Sequence, residues 1–218
     1  MEATAPIKDA RRAEFAQFLP GMASWLATRP FVRELRGFEK IRPLPRCLFV
    51  ANHVSLLDAV MVGGLFTRHG LGPMLILADK NIWETSWVRR WLSGAFAFVV
   101  ERGKFNPSRV KELQAFGRAA ENYHLLVFPE GTRGNGVDVA ECQPGIFYIA
   151  QAAKAPIVPV FLENMQLVST KTGKLHLLGG LRKVEIHFGD AIAPENHLSI
   201  AREEFPEFIR QKILAARK

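Results

Sequence analysis

Two residues that could act together as a base and its partner acid, His53 and Asp58, lie close together in the chain. A histidine with one ring nitrogen held by a carboxylate can accept a proton on the other nitrogen. On a single helix, five residues separate two side chains by about 500°, which leaves them roughly 140° apart around the axis. His53 must therefore lie on a turn before a helix if Asp58, in the first helical turn, is to reach its Nδ1.

A simpler interpretation of the same stretch, NHVSLLD at residues 52–58, is a helix start. Ser55 and Asp58 have the spacing of a capping box, in which the serine accepts from a helical amide and the acid reaches back. This interpretation explains Ser55 and Asp58 but gives His53 no role. The two interpretations are compatible, because an acid in the first helical turn also suits the helix dipole.

Two further polar clusters follow apolar runs. Arg102 comes after the run AFAFVV, and the stretch PEGTRGNG at 129–136 comes after the run HLLVF. The glycines of the second stretch allow close backbone approach to a ligand, and the planar guanidinium of Arg133 suits a phosphate. The alternatives are a solvated turn around Arg102 and a polar loop in which Glu130 and Arg133 pair with each other.

The elements that must position these clusters alternate along the chain between short β-rich runs and helical patterns. This alternation predicts an α/β fold with a mixed, largely parallel central sheet flanked by helices. Ligands bind at the carboxyl ends of strands in such sheets, so we expect the three clusters to converge on one pocket. The predicted strands cover 46–51, 74–78, 95–100, 124–128, 156–162 and 184–188, and the predicted helices cover 56–68, 85–92, 107–122, 145–154 and 199–216.

The N-terminal part of the chain has a different pattern. Apolar residues recur at helical spacing across 15–26 and 31–38, with basic residues interleaved, which predicts a pair of amphipathic helices. Their apolar faces either cap the sheet or form an anchor that lies on an anionic bilayer. We therefore divide the chain into an amphipathic helical segment at 1–45, a candidate for membrane docking, and an α/β domain at 46–218.

Charge and composition narrow the partners and the compartment. The chain has 29 Lys+Arg and 21 Asp+Glu, a formal net charge of +8, which favours anionic partners. The basic residues are scattered rather than gathered into a stripe with stacking aromatics, so nucleic acid is disfavoured as a partner.

The only cysteines are Cys47 and Cys142, and they have neither disulfide nor metal-ligand spacing. For Cys142, a buried thiol is a simpler interpretation than a nucleophile. We expect no metal and a reducing cytoplasm.

Several common patterns are missing from the sequence. No run of about 18 apolar residues could span a bilayer, and the N-terminus lacks the features of a secretory signal. The P-loop and dinucleotide-binding patterns are absent, which disfavours nucleotide binding. The G-x-S-x-G pattern of acyl-serine hydrolases is absent as well. We expect a protein that associates peripherally with the cytoplasmic face of a membrane.

Four stretches together resemble the sequence blocks of the glycerophospholipid acyltransferase family, typified by 1-acylglycerol-3-phosphate acyltransferases. They are NHVSLLD (52–58), GAFAFVVER (94–102), FPEGTR (128–133) and PIVPV (156–160), and they occur in the family's order. The resemblance implies transfer of a fatty acyl group from acyl-CoA or acyl carrier protein to the hydroxyl of a lysophospholipid, with lysophosphatidate as the first expectation. The acyl donor is a co-substrate, and the resemblance implies no cofactor.

The resemblance also implies roles for individual residues. His53 matches the family's general base and Asp58 its partner acid. The positions that bind the acceptor's phosphate and shape the site are matched by Arg102, Glu130, Gly131, Thr132 and Arg133. A base of this kind lets the acceptor hydroxyl attack the thioester directly, and backbone amides near Gly131 are candidates to stabilise the oxyanion.

Two departures from the family's pattern leave the acceptor open. Gly134 stands where the family often has serine, and the stretch that follows it is acidic where many members carry basic or aromatic residues. Another lipid acceptor, such as a lyso-ornithine lipid or a glycolipid, is therefore an alternative to lysophosphatidate. An alternative of another class is a non-catalytic basic module that binds anionic membranes or nucleic acid by charge.

Overall fold

The computed structural model describes residues 10–79, 96–100, 108, 111–115, 122–176 and 178–217. The described residues form a seven-stranded sheet with helices on both faces. The strands are β1 (Val32–Arg36), β2 (Arg46–Ala51), β3 (Met74–Asp79), β4 (Ala97–Val100), β5 (Tyr123–Val127), β6 (Ile157–Glu163) and β7 (Val184–Phe188). Their order is β1-β7-β6-β2-β5-β3-β4. Neighbouring strands run parallel except β6 and β7, which are antiparallel, so the predicted mixed, largely parallel sheet is confirmed.

The helices named here are α1 (Ala10–Thr28), α2 (Phe38–Ile41), α3 (Leu57–Arg68), α4 (Gly145–Ala153), α5 (Pro194–His197) and α6 (Phe205–Ala215). Residues 111–115 are also helical. Helix α3 packs on one face of the sheet, and helices α4 and α6 pack on the other. Within the described ranges, no helix combines the length and the apolar composition needed to cross a membrane.

Strand β2 shows why the apolar runs of this chain become strands. Alternate side chains of a strand point to opposite faces, and both faces of this sheet are covered. Cys47, Phe49 and Ala51 accordingly pack in the α3 core, whereas Leu48 and Val50 pack in the α4 and α6 core. A central strand therefore has to be apolar throughout, and the prediction for 46–51 is confirmed residue by residue.

Most of the other predicted elements are found with small shifts of their ends. The predicted helix at 56–68 is α3, and the one at 145–154 is α4. The last helix begins only at Phe205, with a proline in its first turn, where such a residue is tolerated. The predicted helix at 85–92 and most of the one at 107–122 lie outside the described residues.

The helical prediction for 31–38 is wrong, because most of this segment is strand β1. Val32 to Arg36 pair with β7, and only the short helix α2 follows. Gly37 separates the two with a φ of 73°, and a Cβ there would collide with the Phe188 carbonyl oxygen. The expected pair of helices is thus the long α1 and the four-residue α2, and residues before 46 contribute a strand to the central sheet.

Candidate active site

The proposed base lies where β2 ends in the middle of the sheet. Ala51 is the last residue of β2, and Asn52 is fixed by two hydrogen bonds to the backbone of Leu162 on the neighbouring β6. The Asn52 Nδ2 donates to Leu162 O at 3.1 Å, and the Leu162 N–H donates to Asn52 Oδ1 at 2.7 Å. Asn52 thereby holds the start of the turn that carries His53, a role for which the sequence had offered no signal.

His53 and Asp58 meet as their spacing predicted. The distance from His53 Nδ1 to Asp58 Oδ2 is 2.8 Å. His53 lies on the turn before α3, and Asp58 lies in the first turn of that helix. The Asp58 side chain is completely buried, whereas 15% of the His53 side chain is exposed. Because Nδ1 is occupied by the carboxylate, Nε2 is the nitrogen that would exchange a proton with a substrate.

The helix-start interpretation of this stretch also holds. Asp58 Oδ2 accepts the backbone N–H groups of Val54 at 2.6 Å and Ser55 at 2.9 Å. Ser55 Oγ accepts the N–H of Leu57 at 3.1 Å, one residue earlier than a capping box requires. The same carboxylate therefore closes the turn and binds the imidazole, which fixes its position relative to the ring.

A second loop clamps the backbone of His53. Strands β2 and β5 are neighbours, so the loop after β5 lies beside the loop after β2. Glu130 Oε1 accepts the N–H of His53 at 2.7 Å, and the N–H of Gly134 donates to His53 O at 2.6 Å. Glu130 Oε2 accepts the N–H of Ala140 at 2.9 Å. Both carboxylate oxygens of Glu130 thus accept hydrogen bonds from backbone groups. The alternative interpretation of this loop had instead paired Glu130 with Arg133.

Glu130 is buried, with 1% of its surface exposed. Desolvation raises the pKa of its carboxyl group, and the hydrogen bonds from the His53 and Ala140 backbone act in the opposite direction. A carboxylate with both oxygens turned inward orients the chain around it. Glu130 is therefore better placed to position His53 than to touch a substrate.

The next three residues of this loop, 131–133, are more exposed to solvent than Glu130. Gly131 has a φ of 63°, a conformation that favours glycine, and its N–H closes a turn onto Phe128 O at 3.1 Å. That amide is consequently not free to stabilise an oxyanion. Thr132 is exposed and Arg133 is partly buried, so both can meet a ligand. Arg102 lies outside the described residues, and its role stays a prediction.

The surroundings of His53 are apolar on one side. Its ring stacks on Phe128, with centroids 4.3 Å apart and planes inclined by 22°. Phe128 ends the run HLLVF, and nothing in its sequence position had indicated this contact. Cys142 is buried, and burial raises the pKa of its thiol to about 12, which disfavours the thiolate that a nucleophile needs.

The departure at Gly134 has a structural counterpart. A Cβ at this position would lie 3.0 Å from Glu130 Oε2 and 3.5 Å from His53 O. A serine would therefore force the clamp around His53 to shift slightly. Glycine at 134 lets the second loop approach the His53 backbone closely.

Comparisons with known proteins agree with this architecture. The chain is 28% identical over 170 residues to a 1-acyl-sn-glycerol-3-phosphate acyltransferase of Saccharomyces cerevisiae, a match that covers 70% of this chain and 53% of that protein. It is 28% identical over 137 residues to human 1-acyl-sn-glycerol-3-phosphate acyltransferase beta, covering 59% of this chain and 44% of the relative. The chain spans about half the length of the curated relatives it matches.

The fold has a counterpart among solved structures. A crystal structure of the 1-acyl-sn-glycerophosphate acyltransferase of Thermotoga maritima aligns with a TM-score of 0.62 at 18% identity, over 94% of this chain and 79% of that one. At this identity the similarity establishes the fold alone. The model of the family described as Acyltransferase matches residues 32–163, from the start of β1 to the end of β6, and includes His53, Asp58 and the Glu130 loop. The match extends over more than half of the sequence, and the chain therefore belongs to the Acyltransferase family.

Proposed function

We infer that this protein is an O-acyltransferase that moves a fatty acyl group from a thioester donor to the hydroxyl of a lysophospholipid. Lysophosphatidate is the first candidate acceptor, because the relatives in yeast and human are named for it. The donor is acyl-CoA or acyl carrier protein, and the reaction requires no cofactor. The observation that carries the proposal is the 2.8 Å contact between His53 Nδ1 and Asp58 Oδ2 within the family region.

The geometry supports direct transfer in two steps. Asp58 keeps the proton of His53 on Nδ1, so Nε2 can accept the proton of the acceptor hydroxyl while its oxygen attacks the thioester carbon. A new C–O bond forms, and the carbonyl oxygen becomes an oxyanion that needs hydrogen-bond donors. The C–S bond then breaks, the carbonyl re-forms, and the leaving thiolate takes the proton back from the imidazolium. No covalent intermediate on the protein is needed.

The loop after β5 serves this reaction in two ways. Glu130 positions His53 by holding its backbone N–H. Thr132 and Arg133, on the outward part of the loop, are proposed to contact the acceptor's phosphate, together with Arg102. A guanidinium can bind two phosphate oxygens at once, which orients the acceptor as well as attracting it.

The acceptor could instead lack a phosphate monoester, as in a lyso-ornithine lipid or a glycolipid. The exposed acids Asp138 and Glu141 follow the loop that carries Arg133, and they weaken the local attraction for a dianionic headgroup. A panel of lysolipids with one acyl donor distinguishes these acceptors. We expect the highest kcat/KM with lysophosphatidate, and a higher value with a phosphate-free acceptor would assign the activity to that lipid.

The proposed activity is tested with His53→Ala on the full chain. Removing a general base costs about 100- to 10,000-fold in rate, so turnover should fall by at least about 100-fold. His69→Ala is the matched control, since His69 is exposed at the end of α3. A folded His53→Ala protein with the turnover of the unmodified protein would refute the base. Binding of vesicles or nucleic acid without turnover on any lysolipid would favour a non-catalytic module.

We also propose that the protein works as a peripheral protein on the cytoplasmic face of a membrane, with α1 as its anchor. Phe15, Phe18, Leu19 and Leu26 of α1 are 87%, 55%, 72% and 69% exposed. These side chains do not cap the sheet, and an apolar helix surface of this kind lies favourably in a lipid interface. The free thiols of Cys47 and Cys142 fit a reducing compartment.

The buried side of α1 supports the same proposal. The side chains of Gln17, Ser24 and Thr28 are buried, and Gly21 and Gly64 allow α1 and α3 to approach closely. Gln17 is satisfied by two hydrogen bonds of 2.9 Å to the backbone of Met74. Helix contacts made by small and polar residues, with large apolar residues outside, are typical of helices in contact with lipid.

A further inference from the structure

A second set of exposed apolar side chains lies in the loop between β6 and β7, residues 164–183, called the β6–β7 loop here. Leu167, Leu175, Leu178 and Leu181 are 41%, 52%, 87% and 44% exposed. Apart from Val137 and the apolar residues of α1, all the exposed large apolar side chains in the described ranges belong to this loop. Single exposed leucines need no explanation, but four within one loop make that loop a candidate interaction surface.

The charge of the β6–β7 loop is entirely positive. It contains no aspartate or glutamate, and its basic residues are Lys171, Lys174, Arg182 and Lys183. All four of these residues are exposed. Leucines interleaved with lysines and arginines match an anionic lipid surface, where the apolar side chains enter the interface and the cations meet the headgroups.

Several backbone groups of the β6–β7 loop are paired within the protein. Ser169 and Leu175 form an antiparallel bridge, and the Gly173 N–H donates to Thr170 O at 2.9 Å to make a tight turn. The buried Val168 anchors this hairpin, and its carbonyl accepts the His176 N–H at 2.8 Å. Backbone groups that are already paired reduce the cost of entering a membrane interface.

The β6–β7 loop is tied to the end of the proposed anchor helix. The N–H groups of Arg182 and Lys183 donate to Pro30 O and Phe31 O, each at 3.0 Å. These acceptors follow directly after α1, whose last turns carry the exposed Leu26. The C-terminal end of the loop is therefore held by backbone hydrogen bonds beside the turn that follows α1.

We propose that the β6–β7 loop is a second membrane-contact element that binds anionic phospholipid next to α1. This inference rests on the proposed membrane role and extends it from one contact to two. Two contacts tied by backbone hydrogen bonds fix the orientation of the sheet on the bilayer, whereas one helix leaves it free to rotate. The contact is selective for anionic lipid because the loop supplies only cations.

The binding test uses the full chain and sedimentation with vesicles of phosphatidylcholine, with or without phosphatidylglycerol. Lys171→Gln with Lys174→Gln is compared with a matched control, Lys154→Gln with Lys212→Gln, which removes two exposed lysines outside the loop. The loop pair should weaken binding to the anionic vesicles by at least about tenfold and the control pair by less than about twofold. Equal effects of the two pairs would overturn the proposal, because net charge alone would then explain binding.

A second measurement reports contact between the β6–β7 loop and the bilayer directly. Leu178→Cys labelled with a polarity-sensitive fluorophore should brighten on anionic vesicles, and labelled Gln211→Cys on α6 should not. Cys47 and Cys142 are buried and should react little. No change at residue 178 while the protein sediments with vesicles would overturn the loop contact and leave α1 as the anchor.

Turnover with a short-chain, monomeric lysolipid separates this inference from the proposed activity. The loop variants should keep their turnover with this acceptor and acyl-CoA, because the loop is assigned to the bilayer and not to the reaction. If the loop pair bound vesicles normally but lost turnover only with acyl carrier protein as donor, the loop would be a docking surface for an acidic protein and the lipid assignment would be wrong. If the unmodified protein had no turnover with any acceptor, the acyltransferase proposal alone would fail.

Discussion

Glu130 accepts the backbone N–H of His53 at 2.7 Å, so the acid of one loop holds the proposed base of another. The two residues belong to different sequence blocks, and the pairing of β2 with β5 brings them together. The motif FPEGTR thus contributes a structural support to the site in addition to the ligand contacts proposed for Thr132 and Arg133.

Replacing Glu130 by alanine should destabilise the fold as well as slow the reaction. It leaves the partly buried N–H of His53 without its acceptor, at a cost of about 1–3 kcal/mol, whereas the N–H of the exposed Ala140 can bond water instead. Chemical denaturation should therefore show a lower free energy of unfolding. An unfolding free energy like that of the unmodified protein would contradict the clamp.

A different substitution, Glu130→Gln, tests how Glu130 makes stability depend on pH. The folded-state pKa of Glu130 lies above its ordinary 4.5, chiefly because burial disfavours the anion. A raised pKa contributes stability that is present below 4.5 and lost as the pH rises through the folded-state pKa. The unfolding free energy of the unmodified protein, minus that of Glu130→Gln, should therefore fall as the pH rises above 4.5. A difference that rises with pH would contradict this sign.

The Asp58→Asn variant should lose much of its activity and comparatively little of its stability. The amide can no longer keep the His53 proton on Nδ1 as the carboxylate does, so we expect kcat to fall by about 100-fold or more. Ser55→Ala is the control, because Ser55 Oγ also bonds Asp58, at 3.2 Å, without touching the imidazole. It should cost about 1 kcal/mol of stability with a much smaller loss of kcat. Equal losses of kcat would indicate that Asp58 only supports the turn.

Lowering the pH should destabilise the fold because His124 is buried as a neutral imidazole. This effect is separate from any effect of pH on catalysis. Burial lowers the pKa of His124 from its ordinary 6.5 to about 4, so the unfolded chain binds a proton more readily than the folded one. Stability from the neutral imidazole is present above 6.5 and is lost as the pH falls towards about 4. His124→Gln should lose less stability over this interval in thermal unfolding, and an unchanged slope would exclude His124 as the cause.

Removing the outward apolar side chains of α1 should abolish most membrane binding. The double substitution Phe18→Ser with Leu19→Ser should create no cavity, because both side chains already face solvent. Thermal unfolding should therefore be unchanged, while sedimentation with phosphatidylglycerol vesicles should fall by at least about tenfold. Unfolding at a lower temperature would instead show that these residues pack within the protein.

Local patterns predicted the parts of this fold that local physics controls. The apolar run RCLFVA predicted a strand, and the structure shows why it is apolar throughout, since both faces of this strand are covered. The same kind of reasoning failed at β1. Leu35 fits a helix as well as a strand by spacing, and pairing with β7, far along the chain, decided for the strand.

By itself, the sequence determined that His53 and Asp58 could meet if His53 lay on a turn before the helix, because five residues on one helix would leave the two side chains roughly 140° apart. Only the tertiary structure decided that Glu130 clamps the His53 backbone and that the apolar side of α1 faces outward. Both depend on which strands and helices become neighbours, and that choice is made by packing between segments far apart in the chain rather than by the spacing of residues within any one of them.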